Sequence, residues 1–172
     1  AAPSGPLAAQ LLGDATTRVI ADLWAYDREF DLSRKPPTLS ATLARQTHAA
    51  DALPPEGWRV QVSLSYSDGF GRVGQAKVQA EPGPVPTRDP DGAIVIDASR
   101  RPVMTTDVVE PRWVGSGWTV FDNKGQPVRQ FEPFFTGTHR FEFDVRVGVS
   151  PVLFYDPVGR GVATLYPDHT WD

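Results

Sequence analysis

Cysteine is absent from this 172-residue chain, and its absence removes several classes of function. Without thiols there is no disulfide scaffold, no cysteine-ligated zinc, no iron–sulfur cluster and no thiol nucleophile. No apolar run approaches the ~18 residues of a membrane-spanning helix, and no signal-peptide core is visible. The formal net charge of −4 gives no basic footprint for nucleic acid. Methionine occurs once, at Met104, so we expect a fragment or a processed product.

Glycine and proline, in contrast, are abundant, with 15 and 17 residues. Together they form about 19% of the chain, against a typical ~12%. A chain interrupted so often by turns does not build a helical bundle or a coiled coil. Because 40% of the residues are hydrophobic, the chain can still bury a core, and its length suits one domain or one piece of a larger one.

Alternating apolar and polar residues predict antiparallel strands. The alternation is clearest where the apolar positions are Trp58, Val60, Val62, Leu64 and Tyr66, and again where they are Phe141, Phe143, Val145 and Val147. After the sequence Ser-Asp-Gly-Phe-Gly, residues 72–80 continue with the same period through Ala76, Val78 and Ala80, which predicts a hairpin. Residues 152–155 and 162–166 predict a last hairpin.

The rest of the chain completes an all-β prediction with little helix. Residues 1–15 form a lead-in segment with at most one short helix, and residues 16–172 form a single β-rich domain or a fragment of a larger shell. Residues 16–26 fit a helix or a strand, and their β-branched residues favour a strand. Further strands are predicted at residues 39–48, 94–97 and 112–121. In the last of these, Gly115 and Gly117 indicate a bulge. The predicted architecture is a sheet or sandwich of antiparallel hairpins.

One short turn pattern occurs three times: an aromatic residue, Asp-x-x-Gly, then Arg or Gln. The copies span residues 66–72, 121–126 and 155–160, and the first carries an extra Ser67. The aspartate accepts backbone N–H bonds, and the glycine tolerates the positive φ that closes the turn. Each copy therefore predicts a hairpin tip. Three copies at irregular spacing indicate a divergent repeat architecture.

The copy at residues 155–160 resembles the YD repeat of Rhs proteins, whose repeats build antiparallel ribbons that wind into a hollow shell. Longer stretches resemble the B component of bacterial insecticidal toxin complexes, and they follow one another along the chain in the same order as in that family. They lie at residues 11–19, 41–48, 65–83, 112–135, 138–144 and 155–160. The resemblance places the chain in the C-terminal half of that component, past its β-propeller.

This resemblance implies a non-catalytic structural segment of a secreted protein, in which the B and C components enclose a toxic polypeptide. The implied partners are the A and C components and the enclosed toxin, with no nucleic acid and no direct membrane insertion. The family's self-cleaving aspartate site belongs to the C component, and no motif of that kind occurs here. Exposed hairpin edges also predict that the isolated chain associates with itself.

Few residues are candidates for catalysis, and no catalytic, cofactor or metal site is predicted. His48, His139 and His169 are distant in sequence and fit surface or strand positions better than a catalytic role. Glu142 and Asp144 are a weak hydrolase candidate, because with Arg146 they form one charged row on the predicted strand.

Two short motifs are interpreted as turns or bulges. Gly115-Ser116-Gly117 lacks the spacing of a nucleophile elbow and fits a glycine bulge. Asp89-Pro90-Asp91-Gly92 resembles the start of a calcium loop, but it lacks the remaining ligands and fits a plain turn.

The aromatic residues leave one alternative function open, a carbohydrate-binding or adhesive β-sandwich module. Trp113 and Trp118 are its candidate sugar-stacking residues, and Phe134 and Phe135 point to opposite faces if their segment is extended. Trp58 belongs to an apolar strand face. Core packing is the favoured role for these rings.

Overall fold

The structure is a computed structural model, and it describes residues 6–31, 35–47, 50–52, 59–99 and 101–172. Two short helices and ten strands occur in these residues. In chain order they are α1 Pro6–Leu12, β1 Thr17–Asp22, α2 Ala25–Arg28, β2 Thr38–Arg45, β3 Val60–Ser67, β4 Val73–Ala80, β5 Arg112–Gly115, β6 Thr119–Phe121, β7 Pro127–Gln130, β8 Phe134–Thr136, β9 Val152–Tyr155 and β10 Gly161–Leu165. The antiparallel all-β prediction is therefore confirmed.

Six strands form the main sheet in the order β1-β2-β3-β4-β5-β8, and every neighbouring pair is antiparallel. The remaining strands form two separate hairpins, β6–β7 and β9–β10. Strand β7 contacts β9, so the two hairpins lie side by side. The sheet carries most of the buried residues, and the hairpins are more exposed.

One face of the main sheet holds the core. Helix α1 packs Ala8 and Leu12 against the β2–β3 half of this face. The fully or nearly buried side chains of the cluster are Ala8, Leu12, Ala41, Leu43, Val62, Leu64, Tyr66 and Trp113. The alternation predicted for residues 60–66 is confirmed, since Val62, Leu64 and Tyr66 all face inward. The predicted strand residues His48 and Trp58 lie outside the described residues.

Strand β4 places polar side chains, not its apolar ones, on the buried face. Leu64 pairs with Lys77 and Tyr66 with Gln75, so both polar residues share the inner face. Gln75 is 1% exposed and Lys77 is 0% exposed, whereas Val78 is 42% exposed. The regular period of Ala76, Val78 and Ala80 thus marks the outer face, where Ala76 lies opposite Ser65.

Several predicted strands are shorter than expected. The strand at residues 16–26 ends at Asp22, and helix α2 follows, so the strand prediction is wrong beyond that point. Residues 94–97 form isolated bridges at Ile94 and Ile96 and no continuous strand.

The bulge predicted within residues 112–121 is a break between two sheets. Strand β5 belongs to the main sheet and β6 to the first hairpin. Gly117 makes the crossing possible, because a Cβ there would lie 1.7 Å from the carbonyl oxygen of Phe131. Ser116 stays attached to the sheet, since its N–H donates to the Ala76 carbonyl and its Oγ accepts the Ala76 N–H.

The strand predicted at residues 141–147 does not form. Phe141 packs against the ring of Tyr66 at 5.6 Å, while the adjacent Glu142 also turns inward, which an alternating strand does not allow. Asp144 has a φ of 54°, outside the β region. The charged row of Glu142, Asp144 and Arg146 is therefore wrong as well, because Glu142 is largely buried and Arg146 is exposed.

We predict that a positive-φ glycine of a hairpin tip matters more for stability than an ordinary strand glycine. Gly71 has a φ of 78°, Gly161 lies outside the positive-φ region, and a Cβ at either position meets nothing within 4 Å. Gly71→Val should therefore lower the free energy of unfolding by about 1–2 kcal/mol from backbone strain alone. The matched control Gly161→Val should change it by less than ~0.5 kcal/mol. Urea unfolding measures both, and equal effects would contradict the turn assignment.

We also predict concentration-dependent self-association through β1. This strand ends the sheet, and Val19 on it is 63% exposed. Val19→Lys should weaken association by about tenfold (~1.4 kcal/mol), because a charge on an edge strand opposes strand pairing. Val78→Lys is the matched control, since Val78 is also exposed but pairs with Ser63 on one side and Val114 on the other. Sedimentation velocity measures the effect. A monomeric parent, or equal effects of the two variants, would exclude edge pairing.

Candidate functional site

The three predicted hairpin tips share one hydrogen-bond geometry. In the first turn, residues 68–71, Asp68 Oδ1 accepts the N–H of Phe70 at 2.8 Å and of Arg72 at 2.9 Å. Asp122 and Asp156 accept the corresponding N–H bonds at 2.8–3.0 Å in the second turn, residues 122–125, and the third, residues 156–159. The closing glycines Gly71, Gly125 and Gly159 have φ values of 78°, 80° and 90°. The turn prediction is confirmed in all three copies.

These bonds also set the charge state of the turn aspartates. The backbone N–H and then the guanidinium of Arg160 hold the pKa of Asp156 below its ordinary value. Burial alone would raise the pKa of Asp68, but the N–H and guanidinium of Arg72 outweigh it and lower the pKa. The first and third turns therefore each carry an ionised aspartate near neutral pH.

Two more turns have this geometry but do not match the repeat pattern in the sequence. Asp89 Oδ1 accepts the N–H of Asp91 at 3.0 Å and of Ala93 at 2.8 Å, which confirms the plain turn predicted there. Asp97 Oδ1 accepts the N–H of Ser99 at 2.8 Å and of Arg101 at 2.9 Å. No aromatic residue precedes either aspartate, which is why the repeat pattern missed both.

The second and third turns are stacked on each other by polar contacts. Gln126 Nε2 donates to the Gly159 carbonyl at 3.0 Å, and Lys124 Nζ donates to the Pro157 carbonyl at 2.7 Å. In the opposite direction, the Tyr155 hydroxyl donates to the Pro127 carbonyl at 2.8 Å. Three side chains thus hold two otherwise separate hairpins in one register.

The first turn stacks on the second through a cation. The guanidinium of Arg72 lies 4.7 Å from the ring centre of Phe121, within range of a cation–π contact. Its Nη1 lies where a side chain on Gly125 would begin, 2.7 Å from an ideal Cβ. The three turns therefore form a consecutive series, which we call the turn ladder.

A buried lysine attaches an irregular segment, residues 138–142, to the main sheet. Lys77 Nζ donates to the carbonyls of Thr138 at 3.0 Å and Arg140 at 2.5 Å, and to Glu142 Oε2 at 2.5 Å. Glu142 Oε1 accepts from Arg88, so both carboxylate oxygens have cationic partners. Burial lowers the pKa of Lys77, and the bond to Glu142 opposes that shift.

Two further side chains of the sheet attach to the same segment. The Gln75 amide donates to the Glu142 carbonyl at 3.1 Å and accepts the Glu142 N–H at 3.0 Å. The Tyr66 hydroxyl donates to the His139 carbonyl. Burial, with the Glu142 carboxylate as a second cause, raises the pKa of Tyr66 to about 12. We call Tyr66, Gln75, Lys77 and Glu142 the polar anchor.

An open groove of about 950 Å³ lies beside the polar anchor. It runs between the turns at residues 88–102 and the segment at residues 138–149, and Glu142 and Arg88 lie on its wall. Phe143 at its rim is 76% exposed and packs edge-on against Trp118 at 4.8 Å. At the polar anchor, the Lys77 ammonium donates to three acceptors, and each Glu142 carboxylate oxygen is ion-paired.

The residues considered for catalysis do not come together. Asp144 binds Arg146 Nε at 2.7 Å, apart from the Lys77–Glu142 pair. His139 is half-buried beside Trp113, and His169 is an exposed turn residue with a φ of 68°. His48 lies outside the described residues. Within the described ranges, no group of three or more metal-binding side chains converges, and neither helix could span a membrane.

The candidate sugar-stacking residues are divided between core and surface. Trp113 is 0% exposed, so its ring faces are unavailable to a sugar. Trp118 is half-buried against Phe141 and Phe143. Phe134 is buried and Phe135 is 36% exposed, which confirms that they point to opposite faces. Trp171 is exposed and packs on Phe154 at 5.4 Å.

The fold and the turn ladder together define an antiparallel all-β protein with a recurring Asp-x-x-Gly hairpin turn. No protein-family model matches the chain, and no curated protein matches it. Solved structures of toxin complexes are similar to it. TcdB2-TccC3 matches 99% of this chain with a TM-score of 0.66 and 26% sequence identity. The Photorhabdus luminescens Tc holotoxin pore matches 80% of this chain, with a TM-score of 0.58 and 28% identity.

A second structure of TcdB2-TccC3, without its hypervariable C-terminal region, matches 83% of this chain with a TM-score of 0.60 and 28% identity. The chain covers only 8%, 6% and 6% of these three much longer chains, taken in the order given. The fold is therefore that of a segment within toxin-complex chains, and the sequence resemblance is supported at this level.

We predict that the polar anchor contributes strongly to stability. Lys77→Met should lower the free energy of unfolding by about 3–5 kcal/mol, because it removes the cationic partner of Glu142 Oε2 and the donor to two buried carbonyls, and leaves Arg88 as the cation on Glu142. Lys77→Met with Glu142→Leu should recover part of this loss, since the buried carboxylate is then gone and the Arg88 side chain that loses its partner is 28% exposed. Lys124→Met, at an exposed lysine, should cost less than ~1 kcal/mol. Denaturant unfolding measures all three. A Lys77→Met cost no larger than that of Lys124→Met would contradict the assigned role.

Proposed function

We propose that this chain is a non-catalytic structural segment of a secreted bacterial toxin-complex B component. In this role it forms part of a Rhs/YD-type β-shell that encloses a toxic polypeptide. The observation that carries the proposal is the similarity to TcdB2-TccC3 over 99% of the chain. The proposed partners are the A and C components of the complex and the enclosed toxin.

The turn ladder suits a wall that is built from successive hairpins. Each hairpin alone is small and exposed, and a two-stranded hairpin is only marginally stable in water. Stacking by Arg72, Gln126 and Tyr155 joins neighbouring hairpins without a large apolar core. A shell needs thin walls of this kind, whereas a compact domain would bury its hairpins on both sides.

The outer face of the main sheet suits contact with an unfolded cargo. Ser40 pairs with Ser65, and Thr42 with Ser63, on the face opposite the core. These short hydroxyl side chains are half-exposed and carry no charge of either sign. These four hydroxyl residues offer little apolar area for adhesion, which fits a container that must later release its contents, whereas the exposed Val19 and Val78 lie at the two sides of this patch.

The polar anchor supports a structural role over a catalytic one. Lys77, Glu142 and Gln75 have the burial and charge typical of an active site. Their polar atoms are nevertheless hydrogen-bonded to backbone groups and to each other. We therefore assign them to holding the segment at residues 138–142 and not to chemistry.

The proposal can be tested on the complete reading frame that contains this sequence, expressed with its C component. Single-particle electron microscopy should show a hollow particle with the described hairpins in its wall, and the enclosed polypeptide should resist protease. The Lys77→Met variant should lose this protection, and the control Lys35→Met, at a lysine outside the turn ladder, should keep it. A particle without a cavity, or a location of these residues in a separate surface domain, would overturn the proposal.

A glycan array probed with the 172-residue chain tests the alternative function, a carbohydrate-binding or adhesive β-sandwich module. Tight binding to one glycan that is lost in Trp118→Ala would favour a carbohydrate-binding module, since Trp118 is the candidate whose ring is still partly accessible. The proposed structural role expects no such binding.

A further inference from the structure

The turn ladder follows one rule along the chain. In the first two turns, the residue directly after the turn glycine reaches the glycine of the next turn. Arg72 covers Gly125, where an ideal Cβ would lie 2.7 Å from its Nη1. Gln126 covers Gly159, where an ideal Cβ would lie 2.8 Å from its Nε2. The Arg72 guanidinium and the Gln126 amide therefore each cover the glycine of the following turn.

Arg160 occupies this position in the third turn and has the same internal geometry as Arg72. Its Nε donates to Asp156 Oδ2 at 2.7 Å, and Arg72 Nε donates to Asp68 Oδ2 at the same distance. The exposures differ, because the Arg160 side chain is 79% exposed and the Arg72 side chain 36%. Within the described residues, no further turn covers Arg160. Asp156 thus fixes the orientation of the Arg160 guanidinium, and the N–H groups that point away from Asp156 face solvent.

Neighbouring groups extend the same surface. Val158 corresponds to Lys124, which bonds the third turn, and it is 76% exposed. Gly161 corresponds to Pro127, whose carbonyl accepts the hydroxyl of Tyr155 in the third turn. A Cβ on Gly161 would meet nothing within 4 Å. We call Val158, Arg160 and Gly161 the Arg160 face.

We propose that the Arg160 face is a docking surface for a separate hairpin turn of the sequence type aromatic-Asp-x-x-Gly. The guanidinium would lie against the incoming aromatic ring and over the incoming glycine, as Arg72 does at Phe121 and Gly125. An incoming tyrosine would add a bond to the Gly161 carbonyl, as Tyr155 does at Pro127. The inference rests on these turn contacts alone and does not depend on the proposed shell.

A second copy of this chain is a poorer occupant than such a turn. The uncovered first turn has Ser67, not an aromatic residue, directly before Asp68. The preceding ring, Tyr66, is 3% exposed and belongs to the core. The turn at Asp89 has Arg88 in the same place, which would repel a second guanidinium. The occupant is therefore a turn with an accessible aromatic ring before its aspartate.

The probe is a cyclic peptide with the sequence of residues 119–130, which contains the turn that Arg72 covers. Thr119 and Gln130 are register partners, so a two-residue D-Pro-Gly link between them closes the hairpin. Binding to the isotope-labelled 172-residue chain is followed by nuclear magnetic resonance. We expect a dissociation constant on the order of 1 mM, with shift changes confined to residues 158–161.

Substitutions separate docking from general adhesion. Arg160→Ala should weaken binding by about tenfold, whereas Arg160→Gln should retain most of it, because Gln126 already performs this role. Arg18→Ala, at an exposed arginine on β1, is the matched control and should change nothing. A peptide with Ser in place of Phe121 should bind about tenfold more weakly.

Three results would overturn the proposal. They are no binding at millimolar peptide, equal binding by Arg160→Ala and the parent, and equal binding of the Phe121 and Ser peptides. Self-association of the chain that is lost in Arg160→Ala would show that a second copy is the occupant instead.

Discussion

The ammonium group of Lys77 determines how the main sheet can be closed. Strand β4 presents Gln75 and Lys77 to the interior, so apolar packing alone cannot cover that half of the face. An irregular backbone segment covers it instead, because only such a segment offers carbonyls that are not used in a ladder. The buried cation and the unpaired carbonyls of Thr138 and Arg140 satisfy each other. The rest of the sheet can then pack conventionally beneath α1.

The molecule is therefore held together in two different ways. Around β2 and β3, apolar side chains and helix α1 form a small core that excludes water. Beyond β5, the two hairpins have few buried residues and depend on contacts between turns. We expect the hairpin region to open more readily than the sheet, because most of its backbone bonds are near solvent.

The turns could be predicted from sequence because their causes are local. An aspartate that accepts N–H bonds and a glycine at positive φ lie within four residues of each other, as at Asp156 and Gly159. Strand β3 was predictable for the same reason, since its alternation records burial directly. The stacking of turns also has a sequence pattern, which is the Arg or Gln after each turn glycine. Its role could not be predicted from sequence, because it depends on which turn lies next to it in the fold.

The sequence predictions fail at positions whose conformation or burial depends on a partner that is distant in the chain. Residues 141–147 alternate like a strand, yet Glu142 turns inward to Lys77, which is more than sixty residues earlier in the chain. Nothing near Gln75 or Lys77 in the chain reveals that they are buried, because their partners are backbone atoms and the Glu142 carboxylate of that same segment. From sequence alone Gly117 indicates a bulge. Its actual role, to allow the close approach of the Phe131 carbonyl, depends on a tertiary contact. Local patterns cannot report such contacts.

The turn ladder has a direction, and the direction coincides with the order of synthesis. Arg72 leaves the ribosome before the second turn exists, and Gln126 before the third. Each new hairpin therefore emerges next to a finished turn, and in the first turn the Arg72 side chain is already oriented by its own aspartate. The ladder itself can be assembled from the amino end, one hairpin at a time. A long protein of this design could fold during translation at the pace of its own elongation.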